Sequence, residues 1–323
     1  MSELELLDRI ARTSVRRAGT VLGVGDDAAV LEGAPAIVVT TDLLVEDVHF
    51  RRAHCTLRDI GHKAVAVSLS DLAAMGAAPR ALFVGLAAPA GALDTAGHDE
   101  LRAGMDALAA AHGATIAGGD LTRGPALMLA VTAVGTLDDP SDAVTRAGAH
   151  PGDVLAVTGP LGGAVAGRAL ADDPDLAGRV PDAAALRAAD SRPQPRVSAG
   201  RRLATAGAHA MLDCSDGLLL DADRLARASG VRVVVDLDAV PLAAGVAAVA
   251  DALGREADLM AATGGEDFEL IVALDEGGLA RARAAGVGLH VVGSIEAGAD
   301  GLRLRRHGRP VAPPRELGWA HDV

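Results

Sequence analysis

The 323-residue sequence carries a formal net charge of −13, with 43 acidic against 30 basic side chains, and 50% of its residues are hydrophobic. That apolar content suits a substantial core divided between two domains, and the acidic balance excludes a nucleic-acid surface, which needs clustered Lys and Arg to displace phosphate counterions. Lys63 is the only lysine, so there is neither a P-loop GxxxxGK[ST] nor the strand lysine of a protein kinase.

In chain order, Glu3–Ala11 is expected to form a short amphipathic helix, with Leu4, Leu7 and Ile10 at helical spacing. Ala36–Thr41 is a β-branched run, Leu57–Met75 has the length and periodicity of a long helix, Ala81–Leu86 is a strand, Asp99–His112 a helix and Ala126–Leu137 a strand. Around Asp138–Gly152 the chain turns polar and rich in Pro and Gly, which places a boundary between a domain of residues 1–138 and one of 139–323. Beyond it, Val154–Thr158 is a strand and Leu161–Leu170 a helix. Ala171–Asp190 is acidic, poorly patterned and expected as loop or short helix. Arg196–Ala206 and Leu218–Ala228 are helices, and Ala210–Leu212, Val231–Leu237 and Phe268–Leu274 are strands. No apolar run approaches the roughly 20 residues of a membrane helix. Met1–Ile10 carries acids where a signal peptide carries positive charge, and Cys55 and Cys214 form no CxxC pair. A cytoplasmic protein without membrane or nucleic-acid partners is expected.

The informative acids lie at the ends of apolar strands or beside glycines: Gly25-Asp26-Asp27, Thr40-Thr41-Asp42, Asp71 within an apolar helix, Gly118-Gly119-Asp120, and Asp213-Cys214-Ser215-Asp216-Gly217. Strand-end carboxylates of α/β proteins converge where ligands bind. Brought together they repel one another unless a cation intervenes, and oxygen-only donors suit magnesium or calcium. Each element also has a plainer use: Gly-Asp-Asp as a turn, Ser215 or Asp216 as a helix cap, and the Gly159–Gly167 run as close helix packing rather than a phosphate cradle. Asp71 is the hardest to explain so, because an acid facing an apolar surface needs a partner.

Taken together, Gly25–Val30 (GDDAAV), Thr40–Phe50, Gly61–Arg80, Gly118–Asp120, Asp213–Leu218 and Gly264–Leu270 (GGEDFEL) stand in the order of the thiamine-monophosphate kinase family. The chain resembles that family over nearly its whole length. The resemblance implies an α+β, two-domain fold of the aminoimidazole-ribotide synthetase type, dimeric through an N-terminal sheet and followed by a C-terminal α/β domain. It also implies several Mg2+ ions held by Asp26, Thr40, Thr41, Asp42, Asp71, Asp120, Asp213 and Asp216. ATP would be contacted by Gly119, Asp120, Arg146 and Ser215, and thiamine monophosphate by His49, Glu266 and Trp319. The pattern assigns Asp26 rather than its neighbour Asp27 to the metals, a choice the sequence itself leaves open. No acid/base or nucleophilic residue is implied, because the acceptor phosphate is already anionic. Two other classes compete. Val233–Val240 fits the strand-DxDxV signature of haloacid-dehalogenase-type phosphatases but lacks a downstream lysine, and a non-catalytic nucleotide-binding protein would retain the same ligands.

Overall fold

The computed structural model describes residues 20–22, 26–33 and 35–320. The helix expected over Glu3–Ala11, and Gly25 of the first acidic motif, lie outside them. The first half forms a six-stranded sheet from β1 (Thr20–Leu22), β2 (Ala29–Leu31), β3 (Ala36–Val45), β4 (Ala78–Ala88), β5 (Thr115–Arg123) and β6 (Met128–Leu137), in the order β1-β2-β3-β6-β4-β5. Only the β4–β5 pair is parallel, and β3 pairs with β6 along its whole length, from Ala36 opposite Leu137 to Val45 opposite Met128.

Helices α1 (Leu57–Ala74) and α2 (Thr95–Ala111) cover one face of this sheet. Thr56 starts α1 with a reciprocal cap: its hydroxyl accepts from the Asp59 amide, and the Asp59 carboxylate accepts from the Thr56 amide. Glycines let the two helices touch. A Cβ on Gly61 would stand 2.0 Å from the Leu101 carbonyl oxygen, and one on Gly104 2.0 Å from that of Arg58.

The second half supplies β7 (Val154–Val157), α3 (Gly163–Asp172), α4 (Pro174–Ala177), α5 (Ala183–Ser191), α6 (Val197–Ala206), β8 (Ala210–Asp213), α7 (Leu218–Ser229) and β9 (Arg232–Asp236). These continue into α8 (Val246–Ala252), α9 (Ala257–Thr263), β10 (Leu270–Leu274), α10 (Glu276–Ala284), β11 (His290–Glu296), β12 (Gly301–Arg306) and β13 (Arg309–Val311). The seven strands order as β13-β12-β9-β11-β7-β10-β8. One hydrophobic core lies between this sheet and α7 to α9; the other runs from the first sheet through α1 to Met211, Leu270 and Val272 of the second. Helix α1 is therefore buried almost all round. A helix stretch apolar on every side belongs inside a protein, and the polar side chains from Lys63 onward, Lys63, Ser68, Ser70 and Asp71, must each find a partner there.

Residues 171–190 form two helices where loop or one short helix was expected. Asp120 lies inside the nine-residue strand β5 rather than at a strand end, because β4 offers the Gly118–Asp120 backbone a parallel ladder to Phe83–Gly85.

Candidate functional site

Strand alternation sorts the first acidic motif. Thr40, Asp42 and Leu44 point toward α1, whereas Thr41 and Leu43 point to the opposite face. The Thr40 hydroxyl donates to Asp71 Oδ2 at 2.5 Å, while the Thr41 hydroxyl meets that of Thr132 at 3.1 Å on the open side. By the two-residue period of a strand, the side chains of Thr40 and Thr41 thus face opposite sides of the sheet.

On α1, Lys63, Val67 and Asp71 follow one stripe at i, i+4 spacing, and Ser70 donates to Asp213 Oδ2 at 2.7 Å across to the end of β8. Carboxylate oxygens of Asp27, Asp71 and Asp213 lie within 4.8 Å of one another. Burial, with the charges of Asp42 and Asp213 added, pushes the Asp71 carboxyl well above the usual range; burial and the charge of Asp27 do the same to Asp213. Burial raises Asp42 as well, and its Oδ2 is buried with no hydrogen-bond partner. An orphaned anionic oxygen beside three convergent carboxylates is what a hard divalent cation would satisfy. The donor set fits such an ion.

Of the two adjacent acids, Asp27 rather than Asp26 joins Asp71 and Asp213. Arg146 clasps Asp27 through two guanidinium nitrogens at 3.1 and 2.7 Å, and its backbone amide donates to Asp26 at 3.1 Å. Burial and the neighbouring Asp27 charge raise Asp26 to about 6. The reason is the turn itself: successive carboxylates point apart, and only one can face the cluster.

Beyond β8, the chain turns through Ser215 and Asp216 into α7. The Asp216 and Gly217 amides donate to Asp221 Oδ2 at 3.0 and 3.1 Å, so the cap expected from Ser215 or Asp216 comes from inside the helix. Asp216 and Asp221 share Arg224. A cavity of about 920 Å³ opens here, lined by Asp42, His49, Ser215, Asp216, Glu266 and Trp319 among others. Six of the expected site residues thus share one cavity, with the buried carboxylates at its foot.

Glu266 adopts φ 70° and Phe268 φ 50°. Such strain in non-glycine residues persists only where surroundings enforce it; here the Glu266 and Phe268 amides donate to the Ser215 and Cys214 carbonyls at 2.6 and 2.9 Å. Lys63 Nζ donates to Glu266 Oε2 at 3.2 Å and to the His49 carbonyl at 3.0 Å, and faces Asp190 at 3.4 Å. Arg168 also contacts Glu266. The sequence reading missed this Lys63–Asp190–Arg168 surround of Glu266. A lone lysine inside an apolar helix was the available clue.

Gly119 and Asp120 do not line the cavity. Asp120 is opposite Gly85 in the β4–β5 ladder, and Gly85 is opposite Ala130, itself opposite Leu43. That row belongs to the uncovered face of the sheet.

Comparison with known proteins agrees with this layout. Residues 25–137 match the family described as AIR synthase related protein, N-terminal domain, and residues 150–304 match AIR synthase related protein, C-terminal domain. The two-domain fold is that of this class, as the sequence led us to expect. Within it, the chain belongs to the thiamine-monophosphate kinase family. It is 42% identical over 275 residues to the thiamine-monophosphate kinase of Mycobacterium tuberculosis, covering 84% of this chain and 80% of that one. The structure of AaThiL complexed with AMPPCP and TMP superposes with a TM-score of 0.85 at 27% identity, over 99% of this chain and 97% of that one. The thiamine-monophosphate kinase from Stenotrophomonas maltophilia K279a gives a TM-score of 0.76 at 36% identity, over 96% and 98%.

Proposed function

We propose that this chain transfers the terminal phosphoryl group of ATP directly to the phosphate of thiamine monophosphate, giving thiamine diphosphate and ADP. The observation that carries the proposal is one cavity, in a chain of this family, whose lining joins Asp42, Ser215 and Asp216 with His49, Glu266 and the half-exposed Trp319. The Trp319 amide donates to the Asp216 carbonyl at 2.9 Å and the Glu266 amide to that of Ser215 at 2.6 Å. Mg2+ held by Asp27, Asp42, Asp71 and Asp213, with Asp26, Asp120, Thr40, Thr41 and Asp216 as further candidate donors, would neutralise the phosphates of both anionic reactants.

The chain's own residues then have distinct duties. Val45 N–H donates to His49 Nδ1 at 3.1 Å, which puts the proton of a neutral imidazole on Nε2. The Lys63 network holds Glu266 as a fixed carboxylate beside the cavity, suited to a cationic heterocycle. The indole of Trp319 offers a π-face for the same cation. No side chain is needed to deprotonate an acceptor whose phosphate monoester is already ionised near neutral pH.

The working unit is a homodimer formed through the uncovered sheet face, where Leu43 and Phe83 are 48% and 44% exposed. Exposed apolar clusters of this kind mark association surfaces, and Asp120 and Gly119 would approach the nucleotide across that interface. The domain division falls at 138/139, and the unpaired Cys55 and Cys214 suit work in the cytoplasm. Among the described residues no helix is long and apolar enough to cross a membrane.

ADP release in the presence of ATP and Mg2+ tests the proposal. Thiamine monophosphate should support turnover and free thiamine should not. Equal turnover with both, or with neither, would overturn it.

A further inference from the structure

At the end of the second sheet remote from the carboxylate cluster, three metal-ligating side chains converge that the kinase chemistry does not use. Asp153 immediately precedes β7, His209 immediately precedes β8, and His150 lies at the end of the polar segment joining the two halves. Strands β7 and β8 flank β10, both antiparallel to it, so their starting ends lie side by side. Asp213 sits at the far end of β8, on the order of 13 Å away along the strand.

His209 Nδ1 lies 2.9 and 3.0 Å from the two Asp153 carboxylate oxygens and 3.3 Å from His150 Nδ1. All three ligand atoms fall within 4.8 Å of one another. The Asp153 side chain is 4% exposed, and the His150 amide fixes its orientation by donating to Oδ2 at 2.8 Å. The imidazoles meet edge-on, with ring centroids 4.7 Å apart and planes at 78°. One proton on His209 Nδ1 serves Asp153 well and leaves the two Nδ1 atoms facing each other across a long contact. Two imidazole nitrogens bound at 2.0–2.1 Å to a tetrahedral zinc ion stand about 3.3 Å apart.

We infer that His150, Asp153 and His209 form a second metal site, selective for a borderline transition ion of the Zn2+ class. Two imidazoles and one carboxylate favour Zn2+ over the magnesium chosen by an all-oxygen set. A groove of about 730 Å³, lined by His150, Arg201 and His209 among others, gives the ion access and leaves room for water as a fourth ligand. The ion clamps the joining segment to the second sheet. That segment carries Arg146, whose carbonyl accepts from Ser229 at 3.0 Å and whose guanidinium holds Asp27, so the clamp fixes the far end of the strap that presents Arg146 to the kinase site.

The test uses the tag-free, full-length protein, stripped with EDTA and dialysed against Zn2+ in millimolar Mg2+, so that the carboxylate cluster is occupied by the harder ion. We expect one Zn2+ per chain to be retained, and Co2+ in its place to give absorption bands of an imidazole-bound ion. His150→Gln and His209→Gln should each lose that equivalent while remaining folded, and Asp71→Asn should keep it. Zn2+ should raise the melting temperature of the parent protein and not of the two histidine variants. His150 is exposed, so its variant keeps the test valid where His209→Gln is poorly folded. A parent protein retaining no Zn2+, or Zn2+ retained equally by the His150 variant, overturns the inference.

Discussion

Asp71 is the residue on which the fold and the site depend in opposite senses. It sits in the most buried helix, accepts from Thr40, and is surrounded by the charges of Asp42, Asp213 and Asp27. Replacing it with asparagine keeps the volume and removes one member of a mutually repelling group. We expect Asp71→Asn to lose metal-dependent turnover by at least about 100-fold while melting no lower than the parent protein without metal. Near-normal turnover at low Mg2+ would end its assignment to the cluster. Much of this site was legible in single residues: an acid in an apolar helix, or beside paired glycines, has few structural uses. The choice between Asp26 and Asp27 was not legible, since it depends on which way a turn throws adjacent side chains. Nor was the separation of Thr40 from Thr41, which needs the face of β3 that meets α1.

Among the elements, the packing of α3 against α5 settles what the glycines of residues 159–167 do. A Cβ on Gly167 would stand 2.0 Å from the Leu186 carbonyl oxygen. The amides of Gly162 and Ala164, at the start of α3, donate to Asp267 at 2.7 and 3.1 Å, so a carboxylate of the chain occupies the place a phosphate would take. Gly167→Val should therefore lower stability by roughly 1–3 kcal/mol through overpacking without changing the KM for ATP. A urea titration and a kinetic comparison check both parts; a changed KM with unchanged stability would restore the phosphate reading. Strands β3, β4 and β6 were legible as short apolar runs, the first of them β-branched. Strand β5 was not, because its Gly118-Gly119 pair has little β-propensity and owes its conformation to the neighbouring β4. Helices α8 and α9 and strands β11 to β13 were similarly unmarked, being short elements held by tertiary packing.

For the whole molecule, association and acidity both follow from where charge and apolar surface have been put. Leu43→Glu combined with Phe83→Glu places charges on the uncovered sheet face, and we expect the variant to sediment as a monomer with an intact circular dichroism spectrum. A parent protein already monomeric at micromolar concentration would refute the dimer. Burial, assisted in Asp26 by the charge of Asp27, raises Asp26 to about 6, and burial raises Asp221 and Asp267 to about 7, from 3.8. In each, the folded chain holds the proton more tightly than the unfolded chain, so stability rises with protonation. That contribution is complete below the unfolded pKa and is lost as pH climbs through 6 to 7. In EDTA the melting temperature should fall between about pH 4 and pH 7, and Mg2+ should reduce the fall by screening the cluster around Asp26. A flat or rising profile in EDTA would contradict the charge arrangement.

The burial of Lys63 also makes the protein its own reporter. It is the only lysine in the chain, is 2% exposed, and lies between Asp190 and Glu266. An acylating reagent that seeks side-chain amines therefore has one target, reachable only when α1 parts from the loop that carries Glu266. The rate at which that amine is modified, followed by peptide mass, measures how often the floor of the cavity opens. ATP and thiamine monophosphate together should slow the modification more than ATP alone, since the pair fills more of the cavity beside Glu266, which lines it and contacts Lys63.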